Sequence, residues 1–251
     1  MKKTSFTALS LGIALLLSAV ILPHTAVAQD ALTPVASVLK GEQPFLSGYD
    51  PRNKDGTYNV VIEIPAGTTA KYEIDSKTGF LELEQKNGEP RFVQYLSYPA
   101  NYGAIPRSMT QKGDSVKAIV LGAALPRGSV VKGRMIGALS VTDSAGTKDR
   151  AIIVIDNTPF ARITSIADLD AKFPGVTSIL QTWFTSSGGY DKDGKPTSKA
   201  GFKGRAEAIP LVGAAILAYE MAMVTEADKR PLDEKGNPQL YRWPGARNIL
   251  E

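Results

Sequence analysis

The order of apolar and polar positions predicts a chain whose first half consists of strands. Between residues 57 and 155, short runs of β-branched and aromatic residues alternate with turn residues. Runs of this length and composition are typical of strands. We predict strands over residues 58–64, 70–74, 79–84, 91–96, 115–121, 129–136, 138–142 and 150–155. Many short strands at this spacing favour a closed β-barrel.

Helical spacing of apolar residues begins only after these strands. Ser165 is placed to cap a short turn, and residues 176–184 repeat apolar side chains at helical intervals. Residues 206–223 are apolar and rich in alanine, which predicts a helix docked on the barrel with Pro210 in its first turn. Residues 185–203 are polar and predict a loop between the two helices.

The first 28 residues have the pattern of a secretory signal peptide. Lys2 and Lys3 precede an apolar stretch, and residues 26–28 read Ala-Val-Ala, a small-x-small cleavage pattern. We expect cleavage before Gln29 and export to the periplasm or the extracellular space. No cysteine follows the cleavage site, which excludes a lipid anchor there, and no membrane contact is expected after the signal peptide is removed.

The remaining chain divides by composition into three parts. Residues 29–56 predict an irregular lead-in, residues 57–223 one domain of barrel and helices, and residues 224–251 a polar tail. Removing the signal peptide takes away two lysines and no acid, so the formal charge falls from +4 to +2. A nearly neutral chain gives little support for a nucleic-acid partner. The oligomeric state is left open, with a homo-oligomer among the alternatives.

The chain has no cysteine, and its single histidine, His24, lies in the predicted signal peptide. The mature chain is therefore expected to lack an imidazole base, which excludes Ser-His-Asp and Cys-His hydrolases. Zinc sites built from histidine or cysteine are excluded for the same reason. Cations that prefer oxygen ligands, such as Mg²⁺, Mn²⁺ and Ca²⁺, remain compatible with the sequence.

Five short segments resemble one enzyme family. They are VIEIPA at 61–66, KYEID at 71–75, YPANYG at 98–103, KGDSVK at 112–117 and VTDSAG at 141–146. Together and in this order they resemble the soluble family I inorganic pyrophosphatases, which hydrolyse diphosphate to phosphate on magnesium ions held by aspartates. The resemblance implies a mainly β fold with flanking helices: a five-stranded OB-like barrel plus two C-terminal helices.

The resemblance also implies roles for individual residues. Asp114 matches a general base beside the attacking water. The positions that match metal contacts are Glu63, Glu73, Asp143 and Asp149. The positions that match phosphate contacts are Lys71, Arg91, Tyr102 and Arg150. Three alternatives stay open: Glu63 as a barrel residue paired with a lysine or arginine, Asp114 as an ordinary surface turn residue, and Tyr102 as core packing.

Lysines replace acids at the positions where this family binds its metals. The family reads Asp-Gly-Asp-Pro-Val-Asp where this chain has Lys112, Asp114 and Lys117. The acid expected five residues after Asp143 falls on Lys148, although a slip of one residue would supply Asp149. A charged lysine has no lone pair for a metal, so Mg²⁺ should bind poorly.

Two functions follow, and both remain open at this point. The first is Mg²⁺-dependent hydrolysis of diphosphate, impaired by the lysines. The second is a non-catalytic exported pseudoenzyme that binds diphosphate or another phosphate anion, with Lys112 and Lys117 among the anion-binding residues. A weaker third interpretation is an OB-type barrel that binds a sugar or a protein, because a fold alone does not determine function.

Overall fold

The computed structural model describes residues 36–93 and 95–228, with the side chains of the last helix up to Val224. The predicted signal peptide with His24, the start of the lead-in and the tail beyond residue 228 lie outside the described residues. The predictions made for those segments stay predictions.

Eleven strands and three helices follow one another along the described residues. The strands are β1 (Val38–Leu39), β2 (Tyr58–Ile64), β3 (Tyr72–Ile74), β4 (Leu81–Leu83), β5 (Gln85–Lys86), β6 (Glu89–Pro90), β7 (Asn101–Ala104), β8 (Lys117–Leu121), β9 (Val130–Asp143), β10 (Gly146–Val154) and β11 (Lys199–Gly204). The helices are α1 (Ile166–Lys172), α2 (Val176–Ser186) and α3 (Arg205–Asp228).

Five of the strands close a barrel in the order β9, β2, β7, β8 and β10, with β10 pairing back onto β9. β8 and β10 run parallel, and the other neighbouring strands of the barrel are antiparallel. β11 extends the sheet beside β9, while β1, β4 and β3 form a separate sheet. The predicted five-stranded barrel is therefore confirmed.

β2 is apolar at nearly every position because both of its faces are covered. Val60 and Ile62 belong to a buried cluster with Ala208 of α3, whereas Val61 belongs to a second cluster with Tyr72 of β3. Strands buried on both faces have continuous apolar runs instead of alternating ones. A charged side chain in such a strand must find a partner inside the fold.

The helices form where their spacing predicts them. Ser165 caps α1, because its hydroxyl oxygen accepts a hydrogen bond from the backbone N–H of Asp168 at 3.0 Å. α2 buries Trp183 and Phe184 in the core cluster of the barrel. Pro210 lies in the second turn of α3, not in the first as predicted, because the helix begins at Arg205.

α3 has one buried and one exposed apolar face. Its buried residues are Ala208, Val212, Ala215 and Tyr219. By length and composition alone, residues 205–224 are long and apolar enough to cross a membrane, with a mean hydropathy of 1.5 and 22% of the segment buried. The buried face nevertheless packs in the same cluster as the barrel residues, so the helix belongs to the core of this domain.

Three strand predictions need correction. Residues 129–136 and 138–142 form one strand, β9, which runs through Gly137 without a break. Glycine is needed at this position because β11 approaches closely, and an added Cβ would lie 2.5 Å from the Lys203 carbonyl oxygen. In the segment 91–96, the described residues 91–93 and 95–96 lie outside the strands, and Phe92 makes an isolated bridge to Ala70. The sequence also missed β7 and β11, the second of which lies in the predicted polar loop.

Candidate active site

A buried ion pair joins β2 to β8. Glu63 is fully buried, and its two carboxylate oxygens lie 2.7 and 2.9 Å from the ammonium nitrogen of Lys117. The backbone N–H of Ile74 donates a third hydrogen bond to Glu63 at 3.0 Å. The open alternative for Glu63, a barrel carboxylate paired with a cation, describes this geometry.

A β-bulge and the barrel register put these two side chains together. In the pairing of β2 with β7, Ile62 faces Gly103 and Ile64 faces Tyr102, so Glu63 is the extra residue of a bulge. Bulges redirect a side chain relative to its strand. Lys117 is the first residue of β8 and pairs with β7 and β10, which fixes its backbone from both sides.

Lys117 is held as a cation. Burial works to lower the pKa of Lys117, but the carboxylates of Glu63 and Glu73 outweigh it and the pKa lies above its ordinary value. Burial likewise works to raise the pKa of Glu73, yet the charges of Lys117 and Lys71 hold it below its ordinary value. Lys117 is therefore a fixed ammonium group between two carboxylates.

A second set of ion pairs continues from Glu73. The Lys71 ammonium lies 2.5 Å from a Glu73 oxygen and also contacts Glu84, and the other Glu84 oxygen contacts Arg91. Lys71 and Arg91 were implied as phosphate contacts by the resemblance, whereas Glu84 was missed. Its only signal in the sequence was a second glutamate two residues after Glu82 in a predicted strand.

Arg150 and two tyrosines complete the cluster. The Arg150 guanidinium lies over the Phe184 ring at 5.1 Å, and one of its terminal nitrogens donates to the Lys148 carbonyl at 3.0 Å. Its Nε is buried and has no acceptor. Burial raises the pKa of Tyr98 well above its ordinary value, with the nearby Tyr102 and Glu73 adding to the shift. Tyr102 is buried in the aromatic core, which agrees with its open core-packing alternative.

The remaining predicted residues lie in exposed turns or have other partners. The Lys112 ammonium donates to the Ala145 carbonyl at 2.8 Å, and Asp143 accepts from the Ala145 backbone N–H at 2.7 Å. Asp114 is exposed in the loop before β8, where its backbone carbonyl accepts a hydrogen bond from the Thr110 N–H at 2.8 Å. Asp149 pairs with Lys203 at 2.8 Å.

This arrangement does not fit a magnesium site. Among residues 36–93 and 95–228, acidic residues do not come together in a group of three that could hold a metal ion. Glu63, Glu73 and Asp149 are each engaged by a lysine ammonium, and Asp143 is engaged by its own turn. Mg²⁺ requires several oxygen ligands in near-octahedral geometry, so the donor set that the described residues present is unsuited to it.

The chain is similar to inorganic pyrophosphatases over most of the barrel and the helices. The family model described as inorganic pyrophosphatase matches residues 60–220. An inorganic pyrophosphatase of Drosophila melanogaster is 36% identical over 172 residues, which cover 60% of this chain and half of the fly protein. One from Gluconobacter oxydans is 32% identical over 161 residues, which cover 64% of this chain and 90% of the relative.

Solved structures show the same fold. The inorganic pyrophosphatase of Thermus thermophilus superposes with a TM-score of 0.61 and 27% identity, covering 71% of this chain and 99% of that one. A type I enzyme from P. falciparum has a TM-score of 0.66 at 23% identity, covers 76% of this chain and 69% of that one, and supports the fold alone. The chain therefore belongs to the inorganic pyrophosphatase family.

Proposed function

We propose that this protein binds diphosphate, or a related phosphate anion, in the cluster around Arg150, and that its hydrolysis of diphosphate is impaired. Family membership supports diphosphate as the anion. The cluster supports anion binding, because Lys71, Arg91, Lys117 and Arg150 supply four cations against the three carboxylates of Glu63, Glu73 and Glu84. The excess of positive charge favours an anion.

Arg150 is the cation best placed to receive the anion. The described residues give its guanidinium no carboxylate partner, and its Nε is a buried donor without an acceptor. A buried donor that lacks an acceptor costs free energy until a partner arrives. Arginine also presents several N–H groups in a plane, which suits the oxygens of a phosphate group.

One observation carries the impairment: the Lys117 ammonium lies between both oxygens of Glu63. This ion pair takes up the carboxylate that would face a metal and adds a positive charge beside it. Because the described acids do not fit Mg²⁺, they offer no site for a metal ion that would activate a water molecule. Without an activated water, turnover should be slow even when diphosphate is bound.

A second candidate function is a pseudoenzyme that binds the anion and releases no product. The ion pairs of Glu63, Glu73 and Asp149 favour it, since each uses a lysine where a metal would need a free carboxylate. The two candidates share the anion and the ion-pair cluster and differ only in turnover.

One set of measurements separates these candidates. The purified protein is incubated with diphosphate and Mg²⁺ or Mn²⁺, and released phosphate is followed over many equivalents. Fast multiple turnover would overturn the proposal, slow turnover supports the impaired hydrolase, and none supports the pseudoenzyme. Calorimetry without metal should then detect diphosphate binding that weakens with salt, because the contacts are between charges.

The sequence pattern of residues 1–28 supports a location for this activity outside the cytoplasm. We propose export to the periplasm or the extracellular space, from the lysines, the apolar stretch and the cleavage pattern in residues 1–28. Fractionation of cells that produce the tagged protein, with N-terminal sequencing of the mature form, tests this. A cytoplasmic protein that retains Met1 would overturn it.

A further inference from the structure

Glu84 uses both of its carboxylate oxygens on cations of the candidate site. One oxygen contacts the Lys71 ammonium and the other contacts a terminal nitrogen of Arg91. Lys71 and Arg91 are two of the four cations proposed to bind the phosphate anion. Glu84 therefore occupies the same N–H donors that an incoming anion would need.

The backbone holds these three residues in a fixed arrangement. Lys71 donates its N–H to the Arg91 carbonyl at 3.0 Å, Glu84 donates to the Lys71 carbonyl at 2.9 Å, and Arg91 donates to the Glu84 carbonyl at 2.7 Å. Glu84 and Arg91 thus lie directly before and after the hairpin formed by β5 and β6. These backbone bonds keep the three residues next to one another, so their side chains remain within reach without a ligand.

The cluster is nevertheless open to solvent at this point. The side chain of Glu84 is 29% exposed and that of Arg91 is 42% exposed, compared with 0% for Glu63. An anion from solution can reach the Arg91 guanidinium, whereas it cannot reach Glu63 without opening the barrel.

We infer that Glu84 is an internal counter-ion that competes with the phosphate anion for Lys71 and Arg91 and so lowers the affinity of the site. This inference rests on the proposed anion-binding function. In the absence of a ligand, Glu84 neutralises part of the charge of the two cations and stabilises the fold. When an anion is bound, the same carboxylate repels it.

These two effects have opposite signs, and a purely structural role would not separate them. Glu84→Gln keeps the size of the side chain and removes its charge, so the protein should lose stability and gain affinity. The gain should grow with the charge of the ligand, because the repulsion that is removed is proportional to that charge. Diphosphate should therefore gain more than orthophosphate.

The experiment compares diphosphate and orthophosphate binding, by calorimetry without metal, in wild type, Glu84→Gln, Glu84→Asp and Glu82→Gln. Glu82 is the matched control, because it lies on β4 close to Glu84 and accepts from Thr78 instead of touching the cations. For Glu84→Gln we expect diphosphate to bind about five- to tenfold more tightly and orthophosphate less than about threefold more tightly. Its thermal midpoint should fall, and Glu84→Asp, which keeps the charge, should bind diphosphate less tightly than Glu84→Gln.

Equal or weaker diphosphate binding by Glu84→Gln, or an equal gain in Glu82→Gln, would overturn the competition. If wild type binds no diphosphate, the proposed function fails separately. The variant still decides the role of Glu84 in that case, because binding that appears only in Glu84→Gln supports competition and its absence overturns it.

Discussion

The ion-pair cluster and the exposed turns of this barrel differ in what their charged residues contact. In the cluster, Lys71, Glu73 and Arg91 contact charged partners. In the exposed turns, both Lys112 and Asp143 contact the backbone of Ala145, Lys112 from the loop before β8 and Asp143 from within its own turn. Lys71, Arg91 and Lys117, three of the cations proposed to bind phosphate, are therefore held by ion pairs, whereas the described residues bring no group of three acids together for a metal ion.

Lys117 and Lys112, the two lysines at expected acid positions, also differ from each other. Lys117 starts a barrel strand, and the pairings with Ala104 and Arg150 fix its backbone. Lys112 lies in a loop and its ammonium is exposed. A charge at a fixed, largely buried position acts strongly on its neighbours, whereas an exposed one is screened by water and salt. Lys117 should therefore account for most of the change in the site.

Replacing Lys117 by Met should have the largest effect and tests the cluster directly. The substitution leaves the buried carboxylate of Glu63 without its cation, which costs about 3–5 kcal/mol of unfolding free energy at neutral pH. Chemical denaturation measures the loss. Lys112→Met is the matched control and should stay within about 0.5 kcal/mol of wild type.

The pH dependence of the Lys117→Met variant follows from the state of Glu63. Burial raises the pKa of Glu63, and without Lys117 the main charge that offsets this rise is gone, leaving the hydrogen bond from the Ile74 backbone N–H. A raised folded pKa gives stability that is present below the unfolded value, about 4.3, and lost as the pH rises. The variant should thus approach wild type below about pH 4. Adding Glu63→Gln should recover most of the loss at pH 7, and failure to do so would contradict the ion-pair interpretation.

Replacing both Lys112 and Lys117 by aspartate tests whether these two lysines prevent Mg²⁺ from binding. In Lys112→Asp with Lys117→Asp, the new carboxylate at position 117 lies beside the buried Glu63 in place of its cation, so the protein should be less stable than wild type in a chelator. Mg²⁺ at about 100 times its Kd should then return about 2–3 kcal/mol. Thermal midpoints with and without Mg²⁺ measure this. Lys112→Asp alone is the control; an equal Mg²⁺ response in that variant would assign the loss of metal binding to the loop instead of to Lys117.

The sequence predicted the barrel well where apolar side chains determine the strands. The run at 58–64 coincides with β2, because burial on both faces requires apolar side chains at nearly every position of the strand. β11 was missed because Lys199, Gly201 and Lys203 have low strand propensity, and backbone bonds to β9 form the strand instead. Single-sequence patterns do not contain such pairings between distant segments.

The site was predicted by residue type and not by partner. The sequence identified Glu63 and Lys117 as separate positions. Their contact depends on a bulge in β2, where the register with β7 shifts between Ile62 and Ile64 and leaves Glu63 as the extra residue. Glu84 was missed because its two partners, Lys71 and Arg91, approach it through backbone bonds across a hairpin. Both contacts are consequences of tertiary structure.

Arg150→Met tests whether the assembled cluster binds the anion. The variant removes the guanidinium that has no carboxylate partner among the described residues, so diphosphate affinity should fall about tenfold, equivalent to ~1.4 kcal/mol. Lys132→Met removes one positive charge from an exposed ion pair with Asp55 and serves as the control. Calorimetry at fixed ionic strength measures both. An equal loss in the two variants would mean that only overall charge matters.

Asp114→Asn tests the exposed turns and should have the smallest effect on the fold. The Asp114 side chain is exposed, so the free energy of unfolding should stay within about 0.5 kcal/mol of wild type and the diphosphate affinity within about twofold. Any slow phosphate release should fall at least tenfold if Asp114 takes the proton of the attacking water, since general bases contribute about 10²–10⁴ in rate. Asp156→Asn, at another exposed turn, is the control. Unchanged release in Asp114→Asn would make Asp114 an ordinary turn residue, and the exposed turns would then keep no part of the family's chemistry.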